Sequence, residues 1–331
     1  MTDTMIMRRM PASWLGRAVV LLCTLFANAA LAQGFPNKPI TAIWPFPGGG
    51  TVDRALRAVA TEAGNILGQP VLVESRPGAN GMLGINAVKQ ARGDAHTLSF
   101  AHNGMLVSVP LTSASTKIAP GTDYVPVGLV LKTNLILAAH PSVPFRDYNG
   151  LLSFARANPG KLDAAVVGTA SNSHLAVELL KAASGVAITN VPYRGEGQAL
   201  PDLLGGTVKM FFMTSTAKPL VDAGKLVGIA TTGAERWDIF PALPTMQELG
   251  LPGFLVIGWF GVVASPGTPP DAIARLNGAF NAALKNPAVR KTLQEFGIDP
   301  MGSTAEEMSA LIQSDLKRWE PIMRKAGIKQ E

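Results

Sequence analysis

The chain has 331 residues, 29 Lys+Arg against 23 Asp+Glu for a formal net charge of +6, and one cysteine. The basic residues are spread without a lysine or arginine block, so nucleic-acid binding has no compositional support, and the mild positive balance favours an anionic partner. A single cysteine forms no intramolecular disulfide, so stability must come from packing; a chain this long can bury about 75% of its unfolded surface and usually divides into two domains.

At the N-terminus Arg8, Arg9 and Arg17 precede an apolar run over residues 18–26, followed by Ala30-Leu31-Ala32. Basic, apolar and small residues in that order make a secretory signal, and the run falls short of the ~20 residues that span a bilayer. The expectation is a signal over residues 1–32, cleavage after Ala32 and a periplasmic destination. The surroundings of Arg8-Arg9 do not support a twin-arginine route, and Leu22 before Cys23 does not fit a lipoprotein site. Losing Arg8, Arg9, Arg17 and Asp3 lowers the net charge to about +4. Losing Cys23 leaves no thiol nucleophile and no cysteine-ligated metal.

From Ile40 onward short β-rich runs alternate with helical stretches. Residues 40–44 read as a strand, 45–50 as a loop, and 52–66 as a helix with Leu56, Val59, Ala60 and Ala63 on one face. A strand at 71–73, a turn at Arg76-Pro77-Gly78, a helix over 82–90 and a strand over 97–101 follow. Two extended apolar stretches, 125–139 and 255–264, read as crossings between lobes. Between them lie helices over 151–157, 174–184 and 198–204 and strands over 164–167, 188–191 and 208–212. Helices over 272–284, 288–296 and 305–326 close the chain, the last opened by a capping box of Thr304 and Glu307. This order predicts the α/β class with largely parallel sheets. It also predicts a discontinuous first lobe (33–132 and 257–331) with a second lobe (133–256) inserted.

Two loops have the chemistry to hold an anion. Phe46, Pro47, Gly48, Gly49, Gly50 and Thr51 lie between a strand and a helix, where backbone N–H groups and the helix dipole favour negative charge. No Gly-Lys-Ser/Thr follows, so this is not a P-loop, and a plain tight turn is the alternative. Asp53, just inside the helix, caps it or steadies its dipole. Thr169, Ala170, Ser171, Asn172 and Ser173 form a second loop of the same kind, whose alternative is an ordinary N-cap. One loop per lobe, facing across a cleft, is the usual setting for a ligand in a two-domain α/β protein.

Tyr193 and Arg194 form a candidate third wall, with Arg194 offering a bidentate fork to a carboxylate unless Glu196 pairs with it at the surface. His102 and Asn103 end a strand and line the cleft or make a turn. Enzyme readings find less support. There is no Gly-x-Ser-x-Gly turn, and His96, His102, His140 and His174 lack zinc-type spacing. His174 reads as a helix-start residue, because no acid close in sequence is placed to orient it. No metal or cofactor is expected.

With those residues in view, the chain resembles the Bug family, the periplasmic solute receptors of tripartite tricarboxylate transporters. The resemblance runs through Pro45-Phe46-Pro47-Gly48-Gly49-Gly50-Thr51, Glu74-Ser75-Arg76-Pro77-Gly78-Ala79-Asn80-Gly81, Ser173-His174-Leu175-Ala176, Val191-Pro192-Tyr193-Arg194-Gly195, Trp259-Phe260-Gly261 and Ala326-Gly327-Ile328-Lys329. It implies a type II periplasmic-binding-protein fold, two α/β lobes joined by crossing strands and closing over a small organic carboxylate. Residues 46–51 and 169–173 would hold the carboxylate, and the closed form would be presented by a monomer to membrane permease subunits. A periplasmic α/β enzyme, or a receptor signalling to a membrane sensor, is the alternative. Where many relatives carry an acidic and amide pair, this chain has Met213-Thr214-Ser215. Met213 and Thr214 therefore join the candidate site without a counter-charge for an amino group, and a plain mono- or dicarboxylic acid is expected.

Overall fold

The computed structural model describes residues 34–113 and 116–329. The export signal and its cleavage point fall outside the described residues. In chain order the elements are β1 (Ile40–Trp44), α1 (Thr51–Leu67), β2 (Val71–Ser75), α2 (Met82–Gln90), β3 (Thr97–His102), a π-helical turn (Gly104–Ser108) running into α3 (Val109–Thr112), and β4 (Val125–Thr133). Next come β5 (Ile136–Ala139), α4 (Tyr148–Ala157), β6 (Asp163–Val167), α5 (Asn172–Ser184), β7 (Thr189–Tyr193), α6 (Glu196–Leu204), β8 (Met210–Met213), α7 (Lys218–Asp222) and β9 (Val227–Thr231). The chain closes with β10 (Gly258–Ala264), α8 (Pro270–Ala283), α9 (Pro287–Glu295), β11 (Asp299–Pro300) and α10 (Ala305–Lys325).

The strands form a six-stranded sheet, in the order β11-β4-β10-β3-β1-β2, and a five-stranded sheet, β7-β6-β8-β5-β9. Both are mixed, where largely parallel sheets were expected. β1 runs parallel to β2 and β3, but β10 is antiparallel to β3 and β4. β6 runs parallel to β7 and β8, but β5 is antiparallel to β8 and β9. The physical reason is connectivity. A helix packed on the sheet returns the chain in the same direction, whereas β5 and β10 each enter their sheet directly from the other one. An apolar run looks alike in either direction, so the sequence pattern does not distinguish them.

The apolar face expected on α1 is buried: Leu56, Val59, Ala60 and Ala63 have no exposed surface and pack in one cluster with Leu276 and Phe280 of α8. Each large side chain buried this way contributes about 1.5–3 kcal/mol. Gly68, at φ 75°, ends the helix and returns its N–H to the Gly64 carbonyl, the left-handed position that suits glycine. At the other end of the chain the capping box forms as expected. Thr304 Oγ1 accepts from the Glu307 N–H at 3.1 Å, and the Glu307 carboxylate accepts from the Thr304 N–H at 2.8 Å.

The first crossing is two strands rather than one. β4 ends at Thr133 and β5 begins at Ile136, so Asn134 and Leu135 carry the chain from one sheet to the other. Thr232, with no exposed surface, ties this crossing to the second. Its hydroxyl accepts from the Leu135 N–H at 3.1 Å and donates to the Val256 carbonyl at 2.6 Å. The second crossing is held in turn by α10, where Arg318 donates to the Gly253 and Leu255 carbonyls and Asp315 accepts from the Trp259 indole at 2.8 Å. Replacing Thr232 with valine keeps the shape but orphans a buried amide and a buried carbonyl. The expected cost is about 1–3 kcal/mol, read as a melting temperature lower by several degrees; an unchanged melting temperature would show that the tie is dispensable.

Candidate functional site

The N-termini of α1 and α5, one attached to each sheet, open onto the same cleft. Thr51, Val52, Thr133, Phe260, Gly297 and Ile298 line it from the six-stranded side, and Val167, Ser171, Asn172, Ser173, Glu196 and Thr214 from the other, around a volume of about 260 Å³. A second compartment of about 310 Å³ shares Val52, Ser171, Asn172 and Phe260 with the first and adds Trp44, Phe46, His102, Asn103, Gly104 and Ala170. Among the described residues no lysine or arginine lines either compartment.

The first loop is shaped from within. Asp53 is only 3% exposed; its carboxylate accepts from the Gly49 N–H at 2.7 Å and from Arg57 Nε at 3.0 Å. Arg57 also donates to the Val73 carbonyl at 2.8 Å and to Ser75 Oγ at 3.2 Å, fastening the loop to β2. Asp53 therefore braces the loop and does not line the cleft. It also takes the Gly49 amide, and Pro47, Gly48, Gly49 and Gly50 are exposed without lining the cleft. The donors left are those of the first turn of α1, whose first internal bond is Arg54 N–H to the Gly50 carbonyl. Its N-cap, Gly50, supplies no side chain to the amides of Thr51, Val52 and Asp53, which have no acceptor within the helix.

The second loop is built differently, with hydroxyls as braces. Ser171 caps α5 by accepting from the His174 N–H at 3.3 Å. Ser173 Oγ accepts from the Val167 N–H at 3.1 Å, and the two hydroxyls lie 3.0 Å apart. Ala170 holds a left-handed φ of 59°, costing about 1–2 kcal/mol for a residue with a Cβ. It is fixed on both sides, its N–H donating to His174 Nδ1 at 3.3 Å and its carbonyl accepting from Ser108 Oγ at 3.0 Å. What remains open is the first turn of α5, with the amides of Asn172 and Ser173. Asn103 Nδ2 donates to Asn172 Oδ1 at 2.6 Å, a direct bond between the two sides.

Of the residues expected at the site, Phe46, Thr51, His102, Asn103, Ala170, Ser171, Asn172, Ser173 and Thr214 come together. Thr169 is exposed and lines neither compartment. Met213 is fully buried in the core of the five-stranded sheet. Tyr193 belongs to β7, which runs two residues further than expected, and its hydroxyl donates to Asp202 at 2.6 Å. Burial and that bond push its pKa up to about 12. Arg194 is exposed and lines neither compartment. Glu196, read as its surface partner, instead lines the cleft and accepts from the hydroxyls of Thr214 and Thr216. A carboxylate therefore stands beside the segment expected to lack one, delivered by α6, which starts two residues earlier than expected.

The aromatic walls were also not anticipated. Trp44, Phe46, His102 and Phe260 form a closed circuit of ring contacts, with centroids 5.0 Å apart for Trp44–Phe46, 4.9 Å for Phe46–His102, 5.8 Å for His102–Phe260 and 6.2 Å for Trp44–Phe260. Burial among these rings pulls the His102 pKa down to about 4. Its Nδ1 accepts from the Gly104 N–H at 2.8 Å, which leaves the proton on Nε2. An acid does reach His174, contrary to expectation, since Glu178 lies 3.8 Å from Nε2. That carboxylate is bonded to Lys181 and Asn190 at 2.7 Å each, and His174 does not line the cleft. The serines bond to each other and to the backbone, without a base. Amides and hydroxyls around a pocket free of cations are chemistry for holding an anion. Among the described residues no three His, Cys, Asp or Glu side chains gather as a metal site.

Residues 55–328 match the tripartite tricarboxylate transporter family receptor. The chain belongs to this family. It is 34% identical to protein BugT of Bordetella pertussis over 302 residues, covering 90% of this chain and 92% of that one. Among solved structures it is similar to the periplasmic binding protein BugD, with TM-score 0.74 and 29% identity over 90% of this chain and all of that one. It is also similar to an R. palustris protein solved with adipate, with TM-score 0.77 and 32% identity over 89% of this chain and 99% of that one. The α/β architecture, with its two mixed sheets, is that of these receptors.

The state of His102 sets a pH dependence. The folded protein keeps the ring neutral down to about 4, while the unfolded chain takes up a proton below about 6.5. Its contribution is therefore complete above pH 6.5 and is lost as pH falls towards 4. Urea unfolding at pH 7 and pH 5 should show a loss from this ring of at most about 2 kcal/mol, because the ring edge reaches the cleft. His102→Gln should flatten the slope by that amount; an identical slope in the variant would show the ring to be solvated.

Proposed function

We propose that the chain is an exported receptor that captures a small carboxylate-bearing solute in the periplasm and delivers it to the permease of a tripartite tricarboxylate transporter, without transforming it. In this reading residues 1–32 are removed after Ala32, and residues 33–132 with 257–331 form one lobe and residues 133–256 the other. The lobes close over the solute about Asn134-Leu135 and the second crossing, and the receptor acts as a monomer. The observation that carries the reading is the meeting of two open helix N-termini, one from each sheet, in a cleft without a basic side chain. Each end has roughly half a positive charge and unpaired N–H groups, so a carboxylate placed between them satisfies both at once. A ligand that contacts both lobes favours the closed form by its differential affinity. Family membership and the adipate found in a similar structure support the same solute class.

Calorimetry against mono-, di- and tricarboxylic acids, with and without amino groups, should find at least one acid bound and recovered unchanged; turnover, or no binding across the panel, would contradict the proposal. Thr51 tests the pocket cleanly, because it lines the cleft and its hydroxyl has no partner among the described residues. Thr51→Val should weaken binding about 10-fold with the melting temperature unchanged. Ser171 and Ser173 are poorer choices, since both hydroxyls also brace the loop.

A further inference from the structure

Among the described residues Glu196 is the one acidic side chain lining the two compartments, and His102, the other titratable group there, is neutral above about pH 4. It sits at the first position of α6 and is half-buried. Its carboxylate takes hydrogen bonds from Thr214 and Thr216, and no lysine or arginine among the described residues pairs with it. A glutamate serving only the dipole of its own helix can do so from solvent, without lining a cleft. Here two hydroxyls hold it against the wall of a cleft whose other polar groups are suited to an anion. A carboxylate has about four lone-pair directions, so the two hydroxyls leave it with unused acceptor capacity.

Resting on the receptor reading above, we propose that Glu196 is the counter-charge for a cationic group of the solute, and that the cleft takes an organic acid which also carries a protonated amine. The solute's carboxylate lies at the first turns of α1 and α5, and its ammonium lies at Glu196. The same residue disfavours plain dicarboxylates, whose second negative group would approach a fixed negative charge without an intervening cation. A neutral hydroxyl on the solute satisfies the acceptor but not the charge, so it ranks between the two.

The test compares matched acids by calorimetry: 4-aminobutyrate, 5-aminopentanoate, 6-aminohexanoate and L-glutamate, each against its desamino partner, together with the ω-hydroxy acids. At least one amine-bearing acid should bind the wild-type protein about 10-fold more tightly than its partner. In Glu196→Gln, which keeps an oxygen for Thr214 and Thr216, that ratio should fall to within about 2-fold, with the plain acid bound as before or more tightly. Plain or hydroxy acids binding the wild type as well as every amine would overturn the assignment and leave the receptor reading standing. A ratio that survives Glu196→Gln would overturn it too, and no binding of either kind would overturn both. The wild-type comparison decides the matter even if the variant fails to fold.

Discussion

Every α-helix begins with amides that its own geometry cannot satisfy, and this protein places two such beginnings at the boundary between its sheets. α1 follows β1 and α5 follows β6, so each helix start sits at the carboxyl end of a strand, where α/β proteins collect their ligands. Because the two strands belong to different sheets, the starts face a shared space instead of lying side by side. The pairing of Asn103 with Asn172 at 2.6 Å shows how closely the two sides approach there.

What makes these ends usable is that the rest of each loop is already satisfied. Asp53 consumes the Gly49 amide and is itself neutralised by Arg57; Ser171 and Ser173 consume the amides of His174 and Val167. The remaining donors are fixed before a ligand arrives, which reduces the ordering cost of binding. Neutral donors also suit a receptor that must release its cargo. A buried arginine would incur a desolvation penalty each time it was taken out of water, a cost that neutral amides incur to a smaller degree. The aromatic circuit of Trp44, Phe46, His102 and Phe260 supplies an apolar wall beside those donors.

The parts of this arrangement that depend on local sequence were legible. The buried stripe of α1, the capping box at Thr304 and the two loops rich in glycine or hydroxyls each announce themselves within a few residues. The parts that depend on how distant segments meet were not. Phe260 and Thr133 lie in apolar stretches that read as crossings between lobes without marking which side chains face the cleft, and nothing near Glu196 signals that α6 turns it towards Thr214. Arg194 attracted attention as the residue chemically best suited to a carboxylate, but β7 continues to Tyr193 and leaves Arg194 in solvent. Strand direction was misread for a related reason, since the apolar pattern of β5 or β10 is the same whichever way it enters a sheet.

The two crossings lie beside the site. Asn134-Leu135 and the second crossing are fastened to each other by Thr232 and to the body by Arg318 and Asp315. A crystal structure of the protein with a bound carboxylate is the most direct measurement of the whole account. It should place the carboxylate oxygens about 3 Å from amides in the first turns of both α1 and α5. A carboxylate seated on only one of those turns, or held by Arg194 or another surface cation, would contradict it.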